Sequence, residues 1–381
     1  MLKLIKNAHL YAPQNMGMSD ILIAGEKIAL IDREINITGL PVEIIDACGK
    51  IVTPGFIDQH VHVIGGGGQT GYASLVPEVT MSELVSCGTT CVVGLLGTDG
   101  FVKELTALYA KIKALESDGL SAYMLNGFYG LPTKTLMSSV TDDMIFIDKV
   151  IGCKLAMSDD RSAFPNEQEI LRLIHQVRLG GFTSGKRGVL HIHLGAQPEG
   201  ITSLLNIVRK YPTFIPYISP THLIRTEELF HQAIEFAHLG GMIDFTTGGT
   251  KFEAPHRCVL KALENGVSMG QITFSSDGHG GLRKIDKETG SITYSSIPLN
   301  LNFYEMTMLV KEGQVPLEDA LLLITQNPAR NLNLTQKGQI QAGYDADLCF
   351  MDSSLSLTDV IARGEMVMRD KQIIKKGRYE L

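Results

Sequence analysis

The residues of this chain best equipped for chemistry are histidines spaced in twos. His60-Val61-His62 closes the apolar run GFIDQHVHVI. A strand alternates its faces with a period of two, so both imidazoles would leave the same side. Two neighbouring imidazoles suit zinc or a similar divalent ion. His191-Ile192-His193 repeats the spacing, and His193, at the end of its run before Gly195, is the ligand candidate there. His191, like His9, His175, His231, His238 and His256, reads as surface or structural. His222 follows Pro220-Thr221 and by itself would read as a hydrogen-bonded core histidine. Asp277, in FSSDGHGG, either caps a turn through its carboxylate or binds metal, with His279 close by. Lys154 lies in VIGCKLAMS, an otherwise apolar stretch. A cation there is costly without a partner, and burial lowers a lysine pKa until the neutral amine can react.

These groups share a position: each stands in or just after a strand-like segment. Eight such segments alternate with helical patterns: GFIDQHVHVI, TTCVVGLLG, LSAYMLNG, VIGCKLAMS, GVLHIHLG, IPYISPTH, GMIDFTTG and QITFSSD. Helical periodicity falls at Glu78–Ser86, Val102–Ser117, Glu167–Leu179, Ile201–Lys210, Glu227–His238 and His256–Glu264. The alternation predicts an α/β fold, a TIM-type (β/α)8 barrel, with a doubly wound open sheet as the alternative. In such a barrel the C-terminal strand ends form one rim, and the candidate ligands gather there, with Tyr129 after the third strand. The first 50 residues and the last 45 are different, with short Ile- and Leu-rich strands broken by Gly, Asn and Asp. Residues 1–50 and 336–381 are therefore expected to form one small β domain, into which the barrel of residues 51–335 is inserted. Gly66–Gly71 satisfies GxGxxG, yet it follows an HxH and opens no clear helix, so it reads as a loop at the site mouth. Arg283–Ser296 has hairpin-like turn chemistry and reads as a lid or a solvated loop.

Bulk properties narrow the field. A formal net charge of −7 argues against nucleic acid as a partner. The six cysteines form no CxxC pair and read as free thiols of a reducing compartment. The start, MLKLIKNAHLYAP, lacks a long apolar region and a small-residue cleavage site, and no apolar run has membrane-spanning length. The expectation is a cytoplasmic protein with no membrane partner.

PGFIDQHVH, GQIQAGYDADL and TQNPARNLNL resemble the amidohydrolase superfamily. More narrowly, DQHVHVIGGGG, VVGLLGTD, CKLAMSDDRS and FSSDG resemble the isoaspartyl (β-aspartyl) dipeptidases, over essentially the whole chain. The resemblance implies two divalent metal ions, most often zinc. His60, His62 and Asp277 would hold one, and His193 and His222 the other. Lys154, carbamylated by carbon dioxide, would bridge them together with a hydroxide. It further implies Asp277 as general base and acid, and Tyr129 as the group that polarises the scissile carbonyl. Arg161 and Arg225 would bind substrate carboxylate, and Gln69, Thr98 and Gly281 would line the substrate. The expected partner is a small peptide substrate, and the expected assembly a homo-oligomer, an octamer by the family's habit. Without the resemblance, Arg161 in Ser158-Asp159-Asp160-Arg161 would read as an ion pair with its neighbours. Three residues depart from the family pattern: Gln69 replaces a Glu that meets the substrate's amino group, Gly281 a Ser, and His279 an Asn. A Gln offers a hydrogen bond but no carboxylate. Two alternatives follow. The same metals could serve an N-acyl amino acid or cyclic amide, or the barrel could be a non-catalytic scaffold.

Overall fold

The computed structural model describes residues 1–286 and 289–380. Its centre is a ring of eight parallel strands: β1 (Phe56–Val61), β2 (Thr89–Gly94), β3 (Ser121–Gly127), β4 (Val150–Met157), β5 (Val189–Leu194), β6 (Ile218–Thr221), β7 (Ile243–Thr246) and β8 (Ile272–Ser275). β1 through β6 form one hydrogen-bonded sheet and β7 pairs with β8. The Leu223 N–H donates to the Asp244 carbonyl across the β6–β7 seam. At the β8–β1 seam Val61 bridges Gly278, and the His62 N–H donates to the Gly278 carbonyl at 2.9 Å. The fold is thus the (β/α)8 barrel. Helices cover the outer face, so most strand positions are buried and apolar, the pattern of a sheet packed on both sides.

The helices lie close to the expected ranges, and their ends follow local chemistry. The first begins at Met81, three residues after Glu78, because Thr80 and Glu83 form a capping box there. The helix Val140–Phe146, between β3 and β4, shows no clear periodicity in sequence because it is only two turns long. IPYISPTH is not strand throughout: Pro212–Tyr217 is a 3-10 helix, and β6 starts at Ile218. Prolines 212 and 216 have fixed φ and no N–H to add to a ladder.

Both chain termini meet in a second, nine-stranded sheet. It takes strands from Leu2 to Pro54 and from Leu348 to Ile373. Ile51–Pro54 pairs antiparallel with Leu348–Met351, so this sheet runs past residue 50, directly into the barrel's first strand. The hairpin expected after β8 is present, with Gly281–Ile285 antiparallel to Ile292–Ser296. Lys287 and Glu288 of that stretch lie outside the described residues. No helix among the described residues is long and apolar enough to cross a membrane.

Candidate metal centre

β1 delivers the first pair of candidate ligands. Its register against β2 slips between Asp58 and Val61, and such irregularities re-aim side chains. Asp58 pins the bend, its Oδ1 accepting from the backbone N–H groups of His60 and Ser276. His62 lies one residue past the strand, and the ring centroids of His60 and His62 are 5.6 Å apart. Glycines leave room for the His62 ring: a Cβ on Gly66 would come within 2.9 Å of it, and one on Gly97 within 2.7 Å. Asp277 arrives from beyond β8, its Oδ1 3.4 Å from His60 Nε2 and 3.2 Å from His62 Nε2. One potential ligand atom from each of His60, His62 and Asp277 lies within 4.8 Å of the other two.

The remaining candidates converge on the same point. Lys154 Nζ is 3.2 Å from His60 Nε2. The His222 ring is 5.0 Å from that of His60 and 4.5 Å from that of His193. The Tyr129 hydroxyl stands 2.6 Å from His193 Nδ1. His222 and Asp277 leave their strands with φ of 65° and 57°. That left-handed region is costly for residues with a Cβ, and such strain collects at functional sites.

The outer wall sorts the substrate candidates. A cavity of about 250 Å3 opens over the centre, lined by Gln69, Thr98, Tyr129, Arg161, Arg225 and Gly281 among others. Arg161 is spent on a fork to Asp159, Nε to Oδ1 at 2.7 Å and a terminal nitrogen to Oδ2 at 2.6 Å, as its local sequence suggests. Asp159 Oδ2 also lies 2.9 Å from His193 Nε2. Among the described residues, the buried Nε of Arg225 has no hydrogen-bond partner. Thr98 donates to the Gly67 carbonyl at 3.0 Å, and a Cβ on Gly281 would meet the Gly67 Cα at 3.0 Å, which favours glycine there. His279 points elsewhere, with its Nδ1 donating to the Pro77 carbonyl.

Sequence reasoning missed four side chains. Asp99 is buried, 3.7 Å from His62 Nδ1. Asp159 braces His193, and the Thr246 hydroxyl stands 2.6 Å from His222 Nδ1. His191, read as surface or structural, is 1% exposed with Nε2 2.9 Å from His60 Nδ1. Asp99 and Asp159 sit inside motifs already noted, so their charge was a usable signal. Thr246 and His191 gain their meaning only when the ring closes.

The β-aspartyl dipeptidase of Fervidobacterium islandicum AW-1, solved in complex with β-Asp-Leu dipeptide, superposes with a TM-score of 0.91 at 38% identity, over 98% of this chain and 97% of its own. This chain belongs to the β-aspartyl dipeptidase family of amidohydrolases. It is a hydrolase. The amidohydrolase family matches residues 253–375 directly. More distant relatives include a dihydroorotase of Elusimicrobium minutum, 25% identical over 92% of this chain and 88% of its own, and a deacetylase of Agrobacterium fabrum, 23% identical over 91% and 82%.

The donor set of this family member fits a divalent ion. His222 Nε2 is buried with no hydrogen-bond partner among the described residues, a costly state unless another group takes its lone pair. Burial drives His60, His193 and His222 well below the ordinary histidine range, so they stay neutral, as ligands must. Burial would also lower His62, but Asp277 and Asp99 outweigh it and hold it up at about 9. A protonated His62 there answers two carboxylates, a charge balance that a cation can take over. Burial pulls Lys154 down to about 7 and keeps the Tyr129 phenol well above its usual range, a donor at neutral pH.

Proposed function

We propose that this protein hydrolyses the isopeptide bond of β-aspartyl dipeptides with two divalent metal ions, most naturally zinc. The observation that carries the reading is the meeting of His60, His62 and Asp277 in one ligand cluster, with Lys154 3.2 Å from His60 beneath a cavity that Arg225 lines. His60, His62 and Asp277 would hold one ion and His193 and His222 the other. When bound, the ions lower the pKa of water toward neutrality and polarise the amide oxygen.

The chain's own residues supply the rest. Lys154, partly neutral near pH 7, can add to carbon dioxide: a C–N bond forms, one proton leaves, and the carbamate offers two oxygens for bridging. Tyr129 donates a hydrogen bond to the oxygen on which negative charge grows. Asp277 takes the proton of the attacking water and returns it to the departing amine. Arg225, with its unspent buried Nε, is the principal binder of a substrate carboxylate. Arg161, already forked to Asp159, contributes its remaining donors and field.

One observation favours a second reading. Asp277 is the only carboxylate among the described residues lining the cavity, against Arg161, Arg225 and Arg283, with Gln69 at the rim. A substrate ammonium finds little counter-charge there, so an N-acyl amino acid or a cyclic amide is the competing substrate. Metal-loaded protein supplied with bicarbonate is assayed on β-Asp-Leu beside an N-acetyl amino acid and a hydantoin. Turnover of β-Asp-Leu is expected. None, with metal fully loaded, would hand the site to the second reading. A sharp gain of dipeptide activity in Gln69→Glu would then trace the loss to the missing carboxylate.

A further inference from the structure

Behind the ligands lies a buried lattice of polar side chains that the hydrolysis does not use. His60 Nδ1 is 2.9 Å from His191 Nε2, and the rings meet edge to face with centroids 5.0 Å apart. His191 Nδ1 is 3.0 Å from the Ser219 hydroxyl, its direct neighbour across the β5–β6 ladder. Ser219 accepts from the Asn331 amide at 3.0 Å, and that amide also donates to Gln59 Oε1 at 3.0 Å. Gln59 Nε2 donates to Asp244 Oδ1 and to the Thr273 hydroxyl, each at 2.7 Å. Asp244 is 2% exposed and also receives the hydroxyls of Thr221, Thr273 and Ser275.

We propose that His191 is a positioning residue that sets the tautomer and tilt of His60, turning the Nε2 lone pair toward the metal centre. The inference rests on the metal-binding reading above. A core histidine needs only one or two satisfied nitrogens, and a hydroxyl would do. Here side chains from β1, β5, β6, β7, β8 and the closing helix Gln326–Leu332 form one chain of bonds that ends on Nδ1 of His60. Both amide groups in it have two donor bonds, so their orientations are locked. That leaves two registers for the imidazole pair. If His191 donates, His60 carries its hydrogen on Nε2 and cannot bind a cation. If His191 accepts, with its own Nδ1–H donated to Ser219, His60 Nδ1–H is held and Nε2 is free. Only the second register is compatible with a ligand. Partners of this kind fix the orientation of metal-bound imidazoles and raise their basicity.

The test is a Co(II) titration of metal-free wild type, His191→Leu and His191→Gln against a competing chelator, read also by the visible absorption of bound Co(II). Leu removes the acceptor. It is expected to weaken one of two Co(II) sites about 10- to 100-fold and to change its absorption, while the other site is spared. Gln, whose amide oxygen reaches the same point, is expected to restore most of the affinity. Wild-type affinity and absorption in His191→Leu would overturn the assignment. Should that variant fail to fold, Ser219→Ala cuts the chain one bond further out. A smaller loss at the same site is then expected, and an unchanged site overturns the assignment equally. Wild type that binds no Co(II) would sink the metal reading itself, a result distinct from two unperturbed sites in the variants.

Discussion

Two of the buried lysines of this protein have opposite fates. Lys154, 1% exposed, stands on β4 among imidazoles, and burial pulls it down to about 7. Lys337, 6% exposed, lies where the barrel's lower end meets the terminal sheet. Its Nζ is 2.5 Å from Asp347 Oδ2 and 2.7 Å from Asp345 Oδ2, and it also donates to Ser121 at the start of β3. Burial would lower it too, but Asp347 and then Asp345 hold it above the ordinary lysine value. Burial alone therefore does not decide whether a lysine is charged; its partners do. The rim places its lysine beside neutral imidazoles and lowers its amine toward neutrality, whereas the base of the barrel surrounds its lysine with carboxylates and keeps it charged.

Substituting each lysine by methionine should separate the two roles. Lys154→Met is expected to lose bound metal and to drop activity by about 10^3-fold or more, since the water-activating centre goes with it. Chemical denaturation of the metal-free forms should show equal or greater stability, because a poorly solvated amine has been removed. Metal content checked by elemental analysis, and partial rescue of Lys154→Ala by a short carboxylic acid, sharpen the point. Binuclear metal retained without that acid would break it. Lys337→Met should do the reverse. It strands the Asp347 carboxylate, leaves Asp345 with Lys27 as its cation, and costs about 3–5 kcal/mol in urea unfolding, with kcat of the folded fraction unchanged.

Two smaller effects refine the contrast. Tyr129→Phe removes a donor from the rim, not a ligand. The expected loss is about 10^2-fold in kcat with full metal occupancy, measured by kinetics and elemental analysis on one sample. Dependence on pH should report the Lys337 clamp. Burial would raise Asp345, but Lys337 and Lys27 hold it below 3.8. A carboxyl lowered on folding contributes stability above its unfolded pKa and loses it as pH falls through the folded one. Lys337, raised above 10.5, contributes below that value and loses it only as pH rises through its folded pKa. The clamp's own contribution, read as the difference in urea midpoint between wild type and Lys337→Met, should thus be constant from about pH 5 to 9 and shrink on the acid side, with a shallower acid fall in Lys337→Met. Parallel acid limbs in the two proteins would show that the clamp is not the source.

The sequence by itself determined the eight-fold alternation of strand and helix, the sheet character of both ends, and the ligand types at the strand ends. These are local properties: hydrophobic period, turn residues, and histidine, lysine or aspartate at the finish of an apolar run. Tertiary structure alone decided which polar groups stand behind those ligands. His60 and Lys154 are 94 residues apart, and Gln59 and Asn331 are 272 apart. No window of sequence contains either pair. Closing the ring turned His191 from an ordinary core residue into the neighbour of His60, drew Arg161 onto Asp159, and left Arg225 facing the cavity. The capacity to hold a metal follows from what a residue is and where its strand ends, while orientation and charge follow from what surrounds it, and those surroundings exist only when distant strands meet in a low-dielectric interior.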